Sequence, residues 1–182
     1  MKIFIAGARA ITHFDDKVKA RLLSIYEKNY DVLVGDATGV DSSVQRFYAG
    51  KGYRNVTVFA SNGVARNNIG HWDVENIVVE HGLHGFDFYR KKDLAMAAAA
   101  DYGFMIWNGE SKGTLNNIIN LLEQEKPCSV YLFPRKQFVS IDNEDTLLRL
   151  LSLCPQCASA TYHKLTQTKQ LAQQRLFQDS RW

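Results

Sequence analysis

Short apolar runs that stop at a glycine, each followed by a stretch of helical spacing, constrain this chain more than any other feature. Residues 2–6 (Lys-Ile-Phe-Ile-Ala) stop at Gly7, and Val32-Leu33-Val34 stop at Gly35. Asn55 to Phe59, Tyr102 to Trp107 and Cys128 to Phe133 are further strand-type runs, the last ended by Pro134. Between them lie helical patterns. Residues 15–28 carry Val18, Leu22 and Ile25 behind Asp15 and Asp16, and residues 40–50 set Val44, Phe47 and Tyr48 on one face. Residues 90–100 are alanine-rich, and 113–125 carry Leu115, Ile118, Ile119 and Leu122.

This alternation predicts an α/β fold, a doubly wound and mainly parallel sheet with helices on both faces. Right-handed crossovers reduce the options to a five-stranded, Rossmann-like sheet of order 3-2-1-4-5. Its switch point falls between strands 1 and 4, and ligands in such sheets bind beside that point at the carboxyl ends of the strands. The glycine loops after strands 1, 2 and 4 all open on that edge.

The reading places the domain at residues 1–134. Residues 60–89 interrupt its rhythm with three of the five histidines, four glycines, Trp72, Phe86, Phe88 and Tyr89. A connection of that length usually has a task or structure of its own, so it is a candidate lid, with Val74–Glu80 as a short element inside it. Residues 135–182 read as a helical C-terminal extension with helices near 143–153 and 162–178, which could pack on the domain, build a homodimer contact or touch another partner.

A chain of 182 residues with 46% hydrophobic and 23% charged residues suits one globular domain and a short appendage. Its formal net charge is +3, in mixed rather than blocked charges, so nucleic acid is not expected as a partner. Three cysteines are an odd count, which favours a reducing, cytoplasmic setting over a disulfide framework. No apolar run reaches the roughly 20 residues of a membrane helix, so no membrane is expected. The opening M-K-I-F-I-A-G reads as a first strand rather than a secretory signal.

Three loops carry the chemistry. In Gly7-Ala8-Arg9 the small residues admit a ligand to the backbone, and Arg9 suits a phosphate. In Gly35-Asp36-Ala37-Thr38-Gly39-Val40-Asp41 a helix begins at the second glycine, where free N–H groups can cradle an anion. Asp41 fits there as a first-turn acid or as a cap, and Asp36 fits a ribose hydroxyl or a water. In Trp107-Asn108-Gly109-Glu110-Ser111-Lys112-Gly113-Thr114, Ser111, Gly113 and Thr114 offer donors at a helix start. The Walker spacing is absent. Arg90, Lys91 and Lys92 stand before the alanine-rich helix, where cations oppose the dipole, so they read either as a phosphate-binding group or as a solvated charge run. Cys154-Pro-Gln-Cys157 with His163 is half a zinc pattern, short of a full ligand set, and no metal and no cofactor are expected.

Together, G-A-R at 7–9, V-G-D-A-T-G-V-D at 34–41 and R-K-K-D-L-A-M…A-D…W-N-G-E-S-K-G-T at 90–114 resemble the SLOG superfamily of Rossmann-like proteins. That group includes the DNA-processing protein A fold, the "Lonely Guy" phosphoribohydrolases and bacterial sensor-type proteins. The resemblance spans about residues 1–134 and implies nucleotide-type ligands. It would line the site with Gly7, Arg9, Gly35, Asp36, Gly39, Asp41, Gly113 and Thr114. The phosphoribohydrolase motif P-G-G-x-G-T-x-x-E, laid on Gly113-Thr114, meets Asn117 where its glutamate stands and Glu110-Ser111-Lys112 in place of its proline and paired glycines.

The function expected is binding of a nucleotide-derived small molecule by a sensor-type protein, with Arg90 and Ser111 added to the ligand set. The first alternative is an N-glycoside hydrolase or transferase, whose chemistry needs a carboxylate near the anomeric carbon. Asp36 and Glu110 are its catalytic candidates, with Asp93 and Asp101 behind them. The second alternative is a module that handles single-stranded DNA.

Overall fold

A computed structural model describes residues 1–79, 82 and 85–179, without the side chains of Asp87 and 172–179. Strands β1 (Lys2–Gly7), β2 (Asp31–Gly35), β3 (Val56–Ser61), β4 (Asp73–Ile77), β5 (Tyr102–Trp107), β6 (Cys128–Leu132) and β7 (Gln137–Ile141) form one sheet. The helices are α1 (Asp16–Glu27), α2 (Val40–Ala49), α3 (Gly85–Ala99), α4 (Lys112–Glu123), α5 (Glu144–Ser152) and α6 (Gln156–Asp179).

The seven strands run in the order β4-β3-β2-β1-β5-β6-β7. All pairs are parallel except β6 with β7. Successive strand residues face opposite sides, so β1 sends Ile3 and Ile5 into one apolar layer and Phe4 and Ala6 into the other. The first layer holds Val18, Leu22 and Ile25 of α1 and Val44 and Tyr48 of α2. The second holds Met96 and Ala97 of α3, Leu115, Ile118 and Ile119 of α4, and apolar residues of α5 and α6. Helices therefore cover both faces, as the strand runs require. Among the described residues no helix is long and apolar enough to cross a membrane.

Three expectations are corrected. The sheet has seven strands rather than five, so its full order differs from 3-2-1-4-5, although the five expected strands lie inside it as β3-β2-β1-β5-β6. The strand β4 overlaps the short element expected at Val74–Glu80, and it was not counted in the sheet because four of its five residues, Asp73 to Asn76, are exposed on an edge beside β3. The region after Pro134 is not purely helical. Pro134 sits in a 3-10 turn, Phe133–Arg135, whose closing Lys136 has φ +50°, and the chain returns antiparallel as β7.

Finally, α3 begins at Gly85, five residues before the alanine-rich run, so Arg90, Lys91 and Lys92 lie inside the helix rather than ahead of it. The expected opposition to its dipole does not arise there, and another cause must account for the cations. His81 and His84 fall outside the described residues.

Candidate functional site

At β1 the sheet changes direction of growth: β2 lies on one side and β5 on the other. Beyond the carboxyl ends of these strands opens a crevice of about 540 Å³. Gly7, Ala8 and Arg9 form its floor after β1, and Ala37 and Asp41 one wall after β2. Asn108, Ser111, Gly113, Thr114 and Asn117 form the opposite wall at the start of α4. The cover comes from the long connection after β3: Arg66, and then Phe86, Tyr89, Arg90, Lys92 and Asp93 on α3.

The glycines serve three separate purposes. Gly7 lets β1 press against β5. A Cβ there would overlap the Ile106 carbonyl oxygen and stand 2.7 Å from Val40 Cγ2, where Ala8 N–H now donates to Ile106 O at 3.1 Å. Gly39 has φ +80°, a conformation costly for side-chain residues, and packs on the backbone of Arg9. Gly113 faces open space. Around it α4 is capped by its own loop. Ser111 Oγ accepts from Thr114 N–H at 3.4 Å and from the Thr114 hydroxyl at 3.0 Å, while Asn108 Oδ1 accepts from Ser111 N–H at 2.9 Å and Glu110 N–H at 3.2 Å.

Beneath the crevice lies a buried ionic cluster. Asp36 receives the Arg66 guanidinium at 2.6 Å and 3.0 Å, plus the Arg66 backbone N–H at 3.1 Å. Lys92, almost wholly buried, stands 3.7 Å from Asp36 and 3.3 Å from Asp93. Burial pushes the Asp36 carboxyl upward, but hydrogen bonds from Arg66 and the charges of Lys92 and Arg66 outweigh it, and the net shift is down. Burial pulls the Lys92 ammonium down, and Asp93, Asp41 and Asp36 together more than reverse that. For Asp41 burial prevails over the pull of Lys92, and its carboxyl is pushed up to about 6. Asp41 Oδ2 accepts from Ala37 N–H at 3.2 Å.

A carboxyl raised from 3.8 to about 6 by folding binds its proton more tightly in the folded chain. Its contribution therefore favours the fold below pH 4, declines as pH rises from about 4 to about 6, and is flat above that. The lowered carboxyls of Asp36 and Asp15 contribute in the opposite sense, and only as pH falls through the acid range below 4. Asp41→Asn is expected to flatten stability between pH 4 and 6. Thermal midpoints at pH 4.5, 5.5 and 7 check this, and an unchanged slope would assign it elsewhere.

The structure places the expected residues unequally. Gly7, Arg9, Asp41, Arg90, Ser111, Gly113 and Thr114 line the crevice together. Gly35 lies under it, where a Cβ would wedge against Asp41 and stand 2.6 Å from Lys92 Nζ. Asp36 is held by Arg66 below the opening, and Glu110 is exposed at the loop tip. Of the acids named above, Asp41 and Asp93 face the crevice.

Sequence reasoning missed three crevice residues. Arg66 sits in the connection between β3 and β4, which has no periodic pattern, and Tyr89 at the start of α3, ahead of the alanine-rich run. There the guanidinium carbons of Arg9 and Arg66 stand 5.3 Å and 4.6 Å from the centre of the Tyr89 ring. Asn117 was visible only as a mismatch to a glutamate. It is 96% buried, and among the described residues its Oδ1, like Arg90 Nε, is a buried polar atom without a hydrogen-bond partner.

The fold and this crevice define a Rossmann-like α/β chain with a polar cleft at its switch point. No family model and no curated protein matches the chain. Its fold is similar to a solved structure of DNA processing protein A from Helicobacter pylori, described for its single-stranded DNA binding mode. The TM-score is 0.55 at 14% identity, over 71% of this chain and 64% of that one. The chain thus spans just under two thirds of that protein's length, and the likeness is one of fold.

The likeness corrects the expectation that nucleic acid is not a partner, because a chain of this fold is described for binding single-stranded DNA. The expectation rested on a net charge of +3. A net charge is a sum over the whole surface and says nothing of local concentration. The crevice alone gathers Arg9, Arg66, Arg90 and Lys92 against Asp41 and Asp93.

Proposed function

We propose that the protein binds a nucleotide-derived small molecule in this crevice, as a sensor-type or ligand-binding protein of the cytoplasm. One observation carries the reading. The switch-point cleft collects Arg9, Arg66, Arg90 and Lys92 against Asp41 and Asp93, with Asp36 below holding Arg66 and Lys92, and among the described residues two of its buried polar atoms, Arg90 Nε and Asn117 Oδ1, have no partner. A buried group left unpaired costs about 1–3 kcal/mol, and a ligand with anionic and hydroxyl groups recovers that cost on binding. The phosphate would sit at the α4 N-terminus, with Ser111, Gly113 and Thr114 beside it.

A thermal-shift screen with ribonucleoside mono- and diphosphates, cyclic nucleotides, nucleotide sugars and NAD tests this reading. Stabilisation by at least one class is expected, and silence across the panel would remove the reading's main support. Gly113→Leu is expected to abolish the shift while keeping the fold, because a side chain there projects into open space and glycine is the poorer helix former by about 1 kcal/mol.

A second reading is single-stranded DNA binding, favoured by the fold shared with DNA processing protein A. It predicts affinity for an oligonucleotide that falls steeply with added salt as phosphate contacts displace counterions.

A further inference from the structure

We infer that Asn117 is a sugar-reading residue, and that the crevice takes a ribonucleotide with a free ribose hydroxyl rather than its deoxy counterpart. The inference rests on the proposed nucleotide site and goes beyond it by choosing the sugar.

Three buried asparagines stand on α4: Asn116, Asn117 and Asn120. Asn120 Oδ1 accepts from Lys169 Nζ of α6 at 2.8 Å, while its Nδ2 and Asn116 Oδ1, which also have no partner among the described residues, belong to side chains that do not line the crevice. Asn117 does line it, and among the described residues no group of the protein meets its Oδ1. An amide at a buried helix position with nothing to bind is a standing cost unless a ligand completes it.

Position along α4 selects the sugar. Asn117 lies four residues, or about 6 Å, beyond Gly113 along the helix axis. Helical side chains lean toward the N-terminus, which brings the amide back toward the place where a phosphate would rest. In a nucleotide the group next to the phosphate is the sugar, and the base edge lies farther off. A ribose hydroxyl both donates and accepts, so it satisfies a carboxamide presented by either end, whereas an amino group of a base only donates. Thr114 differs in that its hydroxyl proton is already given to Ser111 Oγ, so it has only lone pairs left to offer a ligand.

The sugar also separates the two readings of the site. An internal nucleotide of a DNA strand has neither a 2′- nor a free 3′-hydroxyl to offer Asn117.

Calorimetric titration with the four ribonucleoside 5′-mono- and diphosphates, and with their 2′-deoxy and 2′,3′-dideoxy forms, tests the inference. The best-bound ribonucleotide is expected to exceed its dideoxy form by roughly tenfold in affinity, the scale of one hydrogen bond to a buried group. Asn117→Leu should bring that ratio close to one by weakening only the ribonucleotide, with an unchanged or higher melting temperature. Asn117→Asp, which keeps an acceptor in place, should preserve discrimination.

Equal binding of ribo and dideoxy forms by the unmodified protein overturns the inference and leaves the nucleotide site standing. A ratio that survives in Asn117→Leu overturns the assignment to Asn117. No binding by any nucleotide, with or without binding of a single-stranded deoxyoligonucleotide, overturns the inference and the proposed site together.

Discussion

Replacing Lys92 by methionine is expected to cost about 3–5 kcal/mol of folding stability, the range seen when one partner of a buried ion cluster is removed. Lys92 is a buried cation that faces Asp36 at 3.7 Å and Asp93 at 3.3 Å, and it also acts on Asp41. Methionine has similar length and packs well in apolar surroundings, so the loss would reflect charge rather than volume. Arg66 can still answer Asp36, but buried Asp41 and part-buried Asp93 would lose the cation that acts on both of them.

The deficit should also depend on pH in a defined direction. Asp41 already titrates near 6, and loss of Lys92 removes the charge that holds its carboxyl down. In the variant Asp41 would take up a proton at a higher pH than in the parent chain. The destabilisation is therefore expected to be smaller at pH 5, where Asp41 is largely neutral, than at pH 8. Urea unfolding of both chains at the two pH values measures this. A difference under about 1 kcal/mol at both, within the range of ordinary surface changes, would mean that the cluster contributes nothing of consequence.

The same cluster explains why the site was only partly legible in the sequence. A glycine at the end of an apolar run is a local signal that marked Gly7 and Gly35, and the glycine-rich turn after the Tyr102–Trp107 run marked Gly113. Arg66 and Tyr89 have no such mark. Arg66 reaches the crevice from the loop before β4, held there by Asp36, and Tyr89 arrives on α3 after the chain has passed through β4, and both placements are set by tertiary pairing rather than by periodicity. Lys92 was visible as one of three cations, but its reason was not. With α3 starting at Gly85, the cations sit within the helix, and Lys92 turns inward toward Asp36 of the loop after β2 and Asp41 of α2, beside its own neighbour Asp93. Edge strands are illegible for a related reason. One face of β4 has little to bury, and β7 borrows its register from β6, so neither needed an apolar run. The central strands, covered on both faces, could not avoid one.

Gly7→Ala is expected to damage both fold and site, in contrast to Gly113→Leu, although each adds a side chain to a loop of the same crevice. At Gly7 the obstacle is backbone. The new methyl would meet the Ile106 carbonyl oxygen across the β1–β5 pair, with Val40 Cγ2 at 2.7 Å behind it. A flexible side chain could rotate aside, but the carbonyl is fixed by its bond from Ala8 N–H at 3.1 Å. Relief requires β1 and β5 to separate at their carboxyl ends, in a core close-packed enough to transmit the shift. Overpacking of this kind costs about 1–3 kcal/mol, and loss of the neighbouring backbone hydrogen bond adds about 1 kcal/mol. Separation of the strands also moves Ala8 and Arg9 away from Tyr89 and the α4 N-terminus, so ligand stabilisation should disappear along with part of the melting temperature. Differential scanning calorimetry with and without the best nucleotide of the screen distinguishes the two variants. A Gly7→Ala chain that melts like its parent and still responds to the nucleotide would show that the β1–β5 approach has slack, and the floor of the crevice would then not depend on that glycine.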